Sequence, residues 1–309
     1  PTTVNSTRYL QDCLPTWLDV FVGVAETDFN LCRESDLKAA GINTVNCVSP
    51  SVWAGRPERV EKIRNLVDHV LCIFPFEVDL LKKHGIAATY VGHPLANVIP
   101  MVPDRAAARA ALGLAADDVV VAILPGSRQS EIQYLARTFL MAAALMKKAR
   151  PAIKFLIPAL PALQAQITQV SQAAGMGESV QIVAGQSHTV LAACDVTLIA
   201  SGTATLEAAL FKRPMVISYK VNWLSYLIMK PKQLQPWIGL PNILCRDFVV
   251  PELLQDKATP QALADAVLQW LDAPQKVTAL QQRFTALHAE LQRDTPRLAT
   301  DAIEKILQA

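Results

Sequence analysis

Two short runs carry the residue types that hold a phosphorylated ligand. Residues 119–131 read Val-Val-Val-Ala-Ile-Leu-Pro-Gly-Ser-Arg-Gln-Ser-Glu. The apolar stretch predicts a buried strand, Gly-Ser-Arg a turn, and the following residues a helix. A strand that empties into a helix start leaves backbone N–H groups free at the positive end of the helix dipole. Gly126, Ser127 and Arg128 therefore form a candidate diphosphate cradle, in which the Arg128 guanidinium forks onto phosphate oxygens. The competing reading pairs Arg128 with Glu131 on a solvated helix end. Residues 196–210 repeat the pattern, with Ser201, Gly202 and Thr203 at the turn and Glu207 one turn inside the helix. The first three offer N–H and hydroxyl groups to phosphate, and the Glu207 carboxylate can accept both hydroxyls of a ribose. Their ordinary readings are a helix cap and dipole complementation. Together the two junctions point to a nucleotide at the carboxyl ends of parallel strands.

Three further positions carry possible chemistry. Asn242 follows Pro241 in what reads as a loop between apolar stretches, where its amide can bind a sugar hydroxyl or a phosphate, or simply hold a turn. His93, in Gly-His-Pro, reads as a hinge contact rather than a base. His188, just before a helix, reads as a cap neighbour or a solvated side chain. Residues 220–237 mix Trp223, Tyr226, Leu227 and Met229 with Lys220, Lys230 and Lys232. That mixture suits an interfacial helix on anionic lipid, and equally a helix packed between domains.

The elements that must position these groups alternate between strand and helix. Strands are predicted at 20–24, 43–48, 69–74 and 88–91, with helices at 30–40 (closed by Gly41), 58–67 and 76–84. Residues 94–118, with Pro94, Pro100 and Pro103 and a short 105–112 helix, read as the crossover between domains. Strands resume at 119–124, 154–157, 180–183, 196–199 and 215–219, the last clear strand, with helices at 131–148, 162–173, 189–193 and 203–211. Terminal helices at 260–271, 274–291 and 296–307 each carry proline near the start. This rhythm predicts an α/β protein of two doubly wound parallel-sheet domains. The first, residues 1–97, looks incomplete: four strands follow an uninterpretable stretch at 1–17, and the chain opens on Pro1 rather than Met. The second, residues 98–309, binds the nucleotide, and its terminal helices pack back on the first.

Composition narrows the class. With 309 residues, 51% hydrophobic and 18% charged, the chain has enough apolar surface for two cores. A formal net charge of +2 without a basic run argues against nucleic acid as a partner. Six cysteines without a C-x-x-C pair read as buried reduced thiols of a cytoplasmic protein. No apolar run is long enough to span a membrane, and no signal peptide is visible.

Several motifs, in order and spacing, resemble the lipid-A-disaccharide synthase family. They are Val-Ser-Pro-Ser-Val-Trp (48–53), Cys-Ile-Phe-Pro-Phe-Glu (72–77), Val-Gly-His-Pro-Leu (91–95), Ile-Leu-Pro-Gly-Ser-Arg-Gln-Ser-Glu (123–131), the 201–207 turn, and Leu-Pro-Asn-Ile-Leu (240–244). The resemblance implies a glycosyltransferase of the two-Rossmann (GT-B) type. It implies transfer from UDP-2,3-diacylglucosamine to 2,3-diacylglucosamine 1-phosphate, with inversion, release of UDP and no metal or other cofactor. It implies a peripheral enzyme on the inner membrane of a Gram-negative bacterium; oligomeric state is not read from it. Arg128, Glu207 and Asn242 fall on family positions for donor binding, and Arg128 and Asn242 are carried as catalytic candidates. Two departures stand out. The family's opening glycine-rich strand-turn is not found, and its usual catalytic aspartate is Ala25 here. Asp28 is the nearest retained carboxylate and becomes the candidate base. Two other readings stay open: a catalytically impaired UDP-sugar-binding remnant, and a GT-B-like nucleotide-sugar epimerase.

Overall fold

The computed structural model describes residues 19–24, 34, 36–47, 58–220 and 235–308. They fall into two compact units, the first drawn from Pro1–Asn97 and Glu290–Ala309, the second from Val98–Pro231 and Gln235–Ala289.

The first unit carries a parallel sheet in the order β1 (Val20–Val24), β2 (Asn43–Cys47), β3 (His69–Cys72) and β4 (Ala88–Tyr90). Side chains alternate across a strand, so each residue of β3 chooses a face. Val70 and Cys72 pack with Val60, Ile63 and Leu81 from helices α1 (Glu58–Leu66) and α2 (Pro75–Lys83). Leu71 turns to the opposite face, with Val45, Val91 and Ala302. Ala302 belongs to α12 (Thr295–Leu307), whose Leu298, Ala299, Ile303 and Ile306 complete one apolar stripe at helical spacing. Asp294 caps that helix by accepting from the Arg297 N–H. Of the helix expected at 30–40, residues 34 and 36–39 are helical and the rest lie outside the described residues.

The second unit holds β5 (Val120–Leu124), β6 (Lys154–Ala159), β7 (Val180–Ala184), β8 (Val196–Ala200), β9 (Met215–Tyr219) and β10 (Glu252–Leu254), all parallel, in the order β10-β9-β8-β5-β6-β7. Strands β5 and β8 are buried throughout, as near-continuous apolar runs require in a sheet covered on both faces. The long helix α5 (Gln129–Ala149) lays Leu135, Phe139, Ala142, Ala143 and Met146 on the sheet, beside Leu263, Ala264 and Val267 of α10 (Pro260–Leu271). The other helices are α3 (Pro94–Val98), α4 (Arg105–Ala111), α6 (Pro161–Ala173), α7 (Ser187–Ala193), α8 (Ala204–Leu210), α9 (Leu240–Cys245) and α11 (Pro274–Leu291).

Three readings need correction. Strand β9 is not the last, because β10 adds to the sheet edge through the Leu253–Ser218 register. The 94–118 stretch is not all connection, since its first five residues form α3. Residues 240–245 form a helix rather than a loop.

Candidate functional site

Strand order reverses between β5 and β8, which lie side by side at the centre of the second sheet. Successive strands leave that point in opposite directions, so a crevice opens at their carboxyl ends. A cavity of about 470 Å³ occupies it, lined by Gly126, Ser127, Arg128 and Glu131 from the first junction and by Ser201, Gly202, Thr203 and Glu207 from the second. Seven residues singled out by the sequence thus meet in one pocket.

At the first junction Arg128 is the N-cap of α5. Its side chain is 78% exposed and its Nη1 donates to Glu131 Oε1 at 2.8 Å. This pairing is the ordinary reading of Arg128, matched to Glu131 on a solvated helix end. The backbone donors are engaged as well: the Ser127 and Arg128 N–H groups donate to Glu131 Oε2 at 2.8 and 3.2 Å. Gly126 makes this close approach possible. Its φ is +128°, and a Cβ there would stand 2.4 Å from Glu131 Cβ. The Tyr219 phenol at the end of β9 feels both charges. Its pKa is raised by burial and by Glu131, and Arg128 works against that rise.

The second junction is more open. The Ser201 N–H donates to the Ser218 carbonyl at 2.9 Å, so it is not a phosphate donor; Gly202 and Thr203 remain as the N–H groups on offer. Thr203 is the N-cap of α8, and Thr205 Oγ1 donates to the Gly202 carbonyl at 2.7 Å. Glu207 is 20% exposed, and its carboxylate lies 3.2 Å from His188 Nε2. His188 rests edge-on against Phe211 at 5.3 Å. His188 thus lies in the first turn of α7, close to its cap and with its side chain 43% exposed, and it also meets the candidate ribose carboxylate. No local pattern announces that contact, because it joins α7 to α8 only in the folded sheet.

Asn242 lies apart from the pocket lining. Its side chain is fully buried in α9. Nδ2 donates to the Val250 carbonyl and to Glu252 Oε1, and Oδ1 accepts the Val250 N–H. The amide ties the helix to Val250 and to Glu252 at the start of β10. His93 is nearly buried in the first unit, lies tilted against Phe74 with ring centres 5.3 Å apart and accepts the Leu95 N–H at Nδ1. Burial pushes its pKa down to about 4, which keeps the ring neutral. Asp28, Ala25, Trp223, Tyr226 and the rest of 221–234 lie outside the described residues.

A family model described as lipid-A-disaccharide synthetase matches residues 5–305. A lipid-A-disaccharide synthase of Albidiferax ferrireducens is 74% identical over 294 residues, spanning 94% of this chain and 76% of that protein. One of Verminephrobacter eiseniae is 66% identical over 292 residues, spanning 93% and 75%. Among solved structures, a UDP-GlcNAc 2-epimerase of Neisseria meningitidis bound to UDP-GlcNAc superposes with a TM-score of 0.63 at 12% identity, covering 98% of this chain and 79% of that one. A glycosyltransferase of Rickettsia africae gives 0.59 at 9% identity, with the same coverages. At such identities the likeness is one of fold, and the fold is GT-B.

Proposed function

Since the chain belongs to the lipid-A-disaccharide synthase family, and so is a glycosyltransferase of lipid A biosynthesis, we propose that the cavity between the β5 and β8 turns holds the UDP of its donor sugar. The observation that carries this reading is the convergence of two strand-to-helix turns, each with one carboxylate (Glu131 and Glu207), on a single crevice. Gly126, Ser127 and Arg128 take the diphosphate, Gly202 and Thr203 supply further donors, and Glu207, steadied by His188, accepts the ribose hydroxyls. The acceptor, 2,3-diacylglucosamine 1-phosphate, goes to residues 1–97. Its 6-hydroxyl attacks the anomeric carbon of UDP-2,3-diacylglucosamine, the carbon–oxygen bond to UDP breaks, and the hydroxyl proton passes to a base. Arg128 stabilises the charge that gathers on the departing diphosphate. With Ala25 at the family's aspartate position, Asp28 is the base of this reading. The epimerase alternative has support from fold likeness alone.

Isothermal titration with UDP tests the donor half. Arg128→Ala is expected to cost about 2 kcal/mol, the scale of one charged hydrogen bond. Unchanged affinity would move the diphosphate elsewhere. Turnover of the two acylated substrates tests the rest: Asp28→Asn should lower kcat by about 10²–10⁴-fold while UDP affinity holds. Parent-like turnover in that variant would clear Asp28 of the role.

Diacylated substrates also favour work at the inner-membrane surface. No helix among the described residues is long and apolar enough to cross a bilayer. Phe248 is 58% exposed and meets edge-on, at 6.2 Å, Trp237, the last residue in sequence of the lysine- and aromatic-rich 220–237 run. Anionic vesicles should therefore sediment the protein, and less of it at high salt. Recovery that ignores lipid charge would leave only the packing reading of that stretch.

A further inference from the structure

We propose that Glu131 is a resident anion of the donor site: its carboxylate holds the cradle in the shape a phosphate needs, and the diphosphate binds by displacing it. This rests on the donor reading above and adds what the site must give up to be filled.

The carboxylate sits where a phosphate would. Oε2 accepts the Ser127 N–H at 2.8 Å and the Arg128 N–H at 3.2 Å, while Oε1 accepts from Arg128 Nη1 at 2.8 Å. An ordinary capping box returns the third helical residue to the N-cap N–H alone. Here the shorter bond goes one residue further back, to Ser127, so the carboxylate is centred on the Gly-Ser-Arg turn. Gly126 has the same meaning. A Cβ at that position would stand 2.5 Å from Glu131 Oε2, so the turn has room for this carboxylate only because residue 126 has no side chain. The helix behind the turn has 21 residues, and its positive end favours whichever anion occupies the seat.

These donors cannot serve two anions at once. A diphosphate that takes them leaves Glu131 without its partners and beside a polyanion, so the carboxylate must turn away. Binding is thus an exchange of one anion for another. The exchange lowers the affinity for any ligand with phosphate at this turn. A ligand without phosphate, such as uridine, leaves Glu131 seated and is indifferent to it. The same exchange works in reverse when UDP departs, since the carboxylate returns to donors that would otherwise be left open.

Titration of the whole chain with UDP, inorganic pyrophosphate and uridine separates the possibilities. Glu131→Gln keeps a capping side chain and removes the charge; Glu131→Ala removes both. UDP and pyrophosphate should bind each variant about tenfold or more tighter, the worth of a charged hydrogen bond no longer surrendered, while uridine affinity stays at the parent value. Thermal melts and retained uridine binding establish that both variants are folded. Unchanged or weaker UDP binding in both folded variants would overturn the proposal, because Glu131 would then be a plain cap or a direct ligand contact. Where Arg128→Ala still weakens UDP in that outcome, the donor reading stands without the exchange. No UDP binding by the parent chain would remove both.

Discussion

The Asn242 side chain makes three hydrogen bonds inside the protein, to both polar groups of Val250 and to Glu252 Oε1. An amide so fully engaged belongs to the stability of the second unit. Asn242→Ala would leave the buried Val250 N–H and carbonyl unpaired, at a cost of about 1–3 kcal/mol each way of counting such a loss. Urea unfolding should show that cost, while UDP affinity of the folded protein stays near the parent value. A variant of parental stability with impaired UDP binding would return Asn242 to the pocket. The residues legible in the sequence were those whose chemistry is local. Gly126, Ser127, Arg128, Thr203 and Glu207 announce themselves because a turn between a buried strand and a helix has few chemical uses. What stayed hidden is what each one meets. The contact between His188 and Glu207 depends on how α7 and α8 settle against neighbouring strands, and a sequence motif holds no information on that packing.

At the scale of elements, length decides what can be read. Strands β5 and β8, as near-continuous apolar runs, and helix α5, with its 3.6-residue period, carry enough apolar residues to be recognised and bounded to within two residues. Helix α9, with six residues, and strand β10, with three, span fewer than two full periods each, too few for a repeat to reveal them. They hold together through one carboxylate. Glu252, the first residue of β10, accepts the Ile238 and Gly239 N–H groups ahead of α9 and the Asn242 amide inside it. The signal that was present is Pro241 at the opening turn, a position proline prefers because its missing N–H has no partner there anyway. Helix α12 is longer, its apolar stripe is plain in the sequence, and that stripe covers the first unit's sheet.

For the molecule as a whole, two buried ionisable groups of the first unit set opposing responses to pH. Glu34 is fully buried, neither carboxylate oxygen has a hydrogen-bond partner, and burial raises its pKa from 4.5 to about 7. Between those values the unfolded chain has released a proton that the folded one keeps, so stability falls as pH rises through the window. His93 works the other way. Its pKa is lowered from 6.5 to about 4, so the unfolded chain binds a proton that the folded one refuses, and stability falls as pH drops from 6.5 to 4. The two windows overlap, and the opposing slopes nearly cancel between them. Glu34→Gln should unmask the histidine. The variant should match the parent near pH 4.5 and gain steadily above it, reaching on the order of 3 kcal/mol at pH 8, since each unit of pKa difference is worth about 1.4 kcal/mol. Urea unfolding of parent and variant at pH 4.5, 6 and 8 measures the difference directly, and charges common to both cancel from it. A gap that stays constant across the three would mean that Glu34 keeps its proton, or loses it, equally in both states. The burial that raises its pKa would then have no share in how the first unit answers to pH.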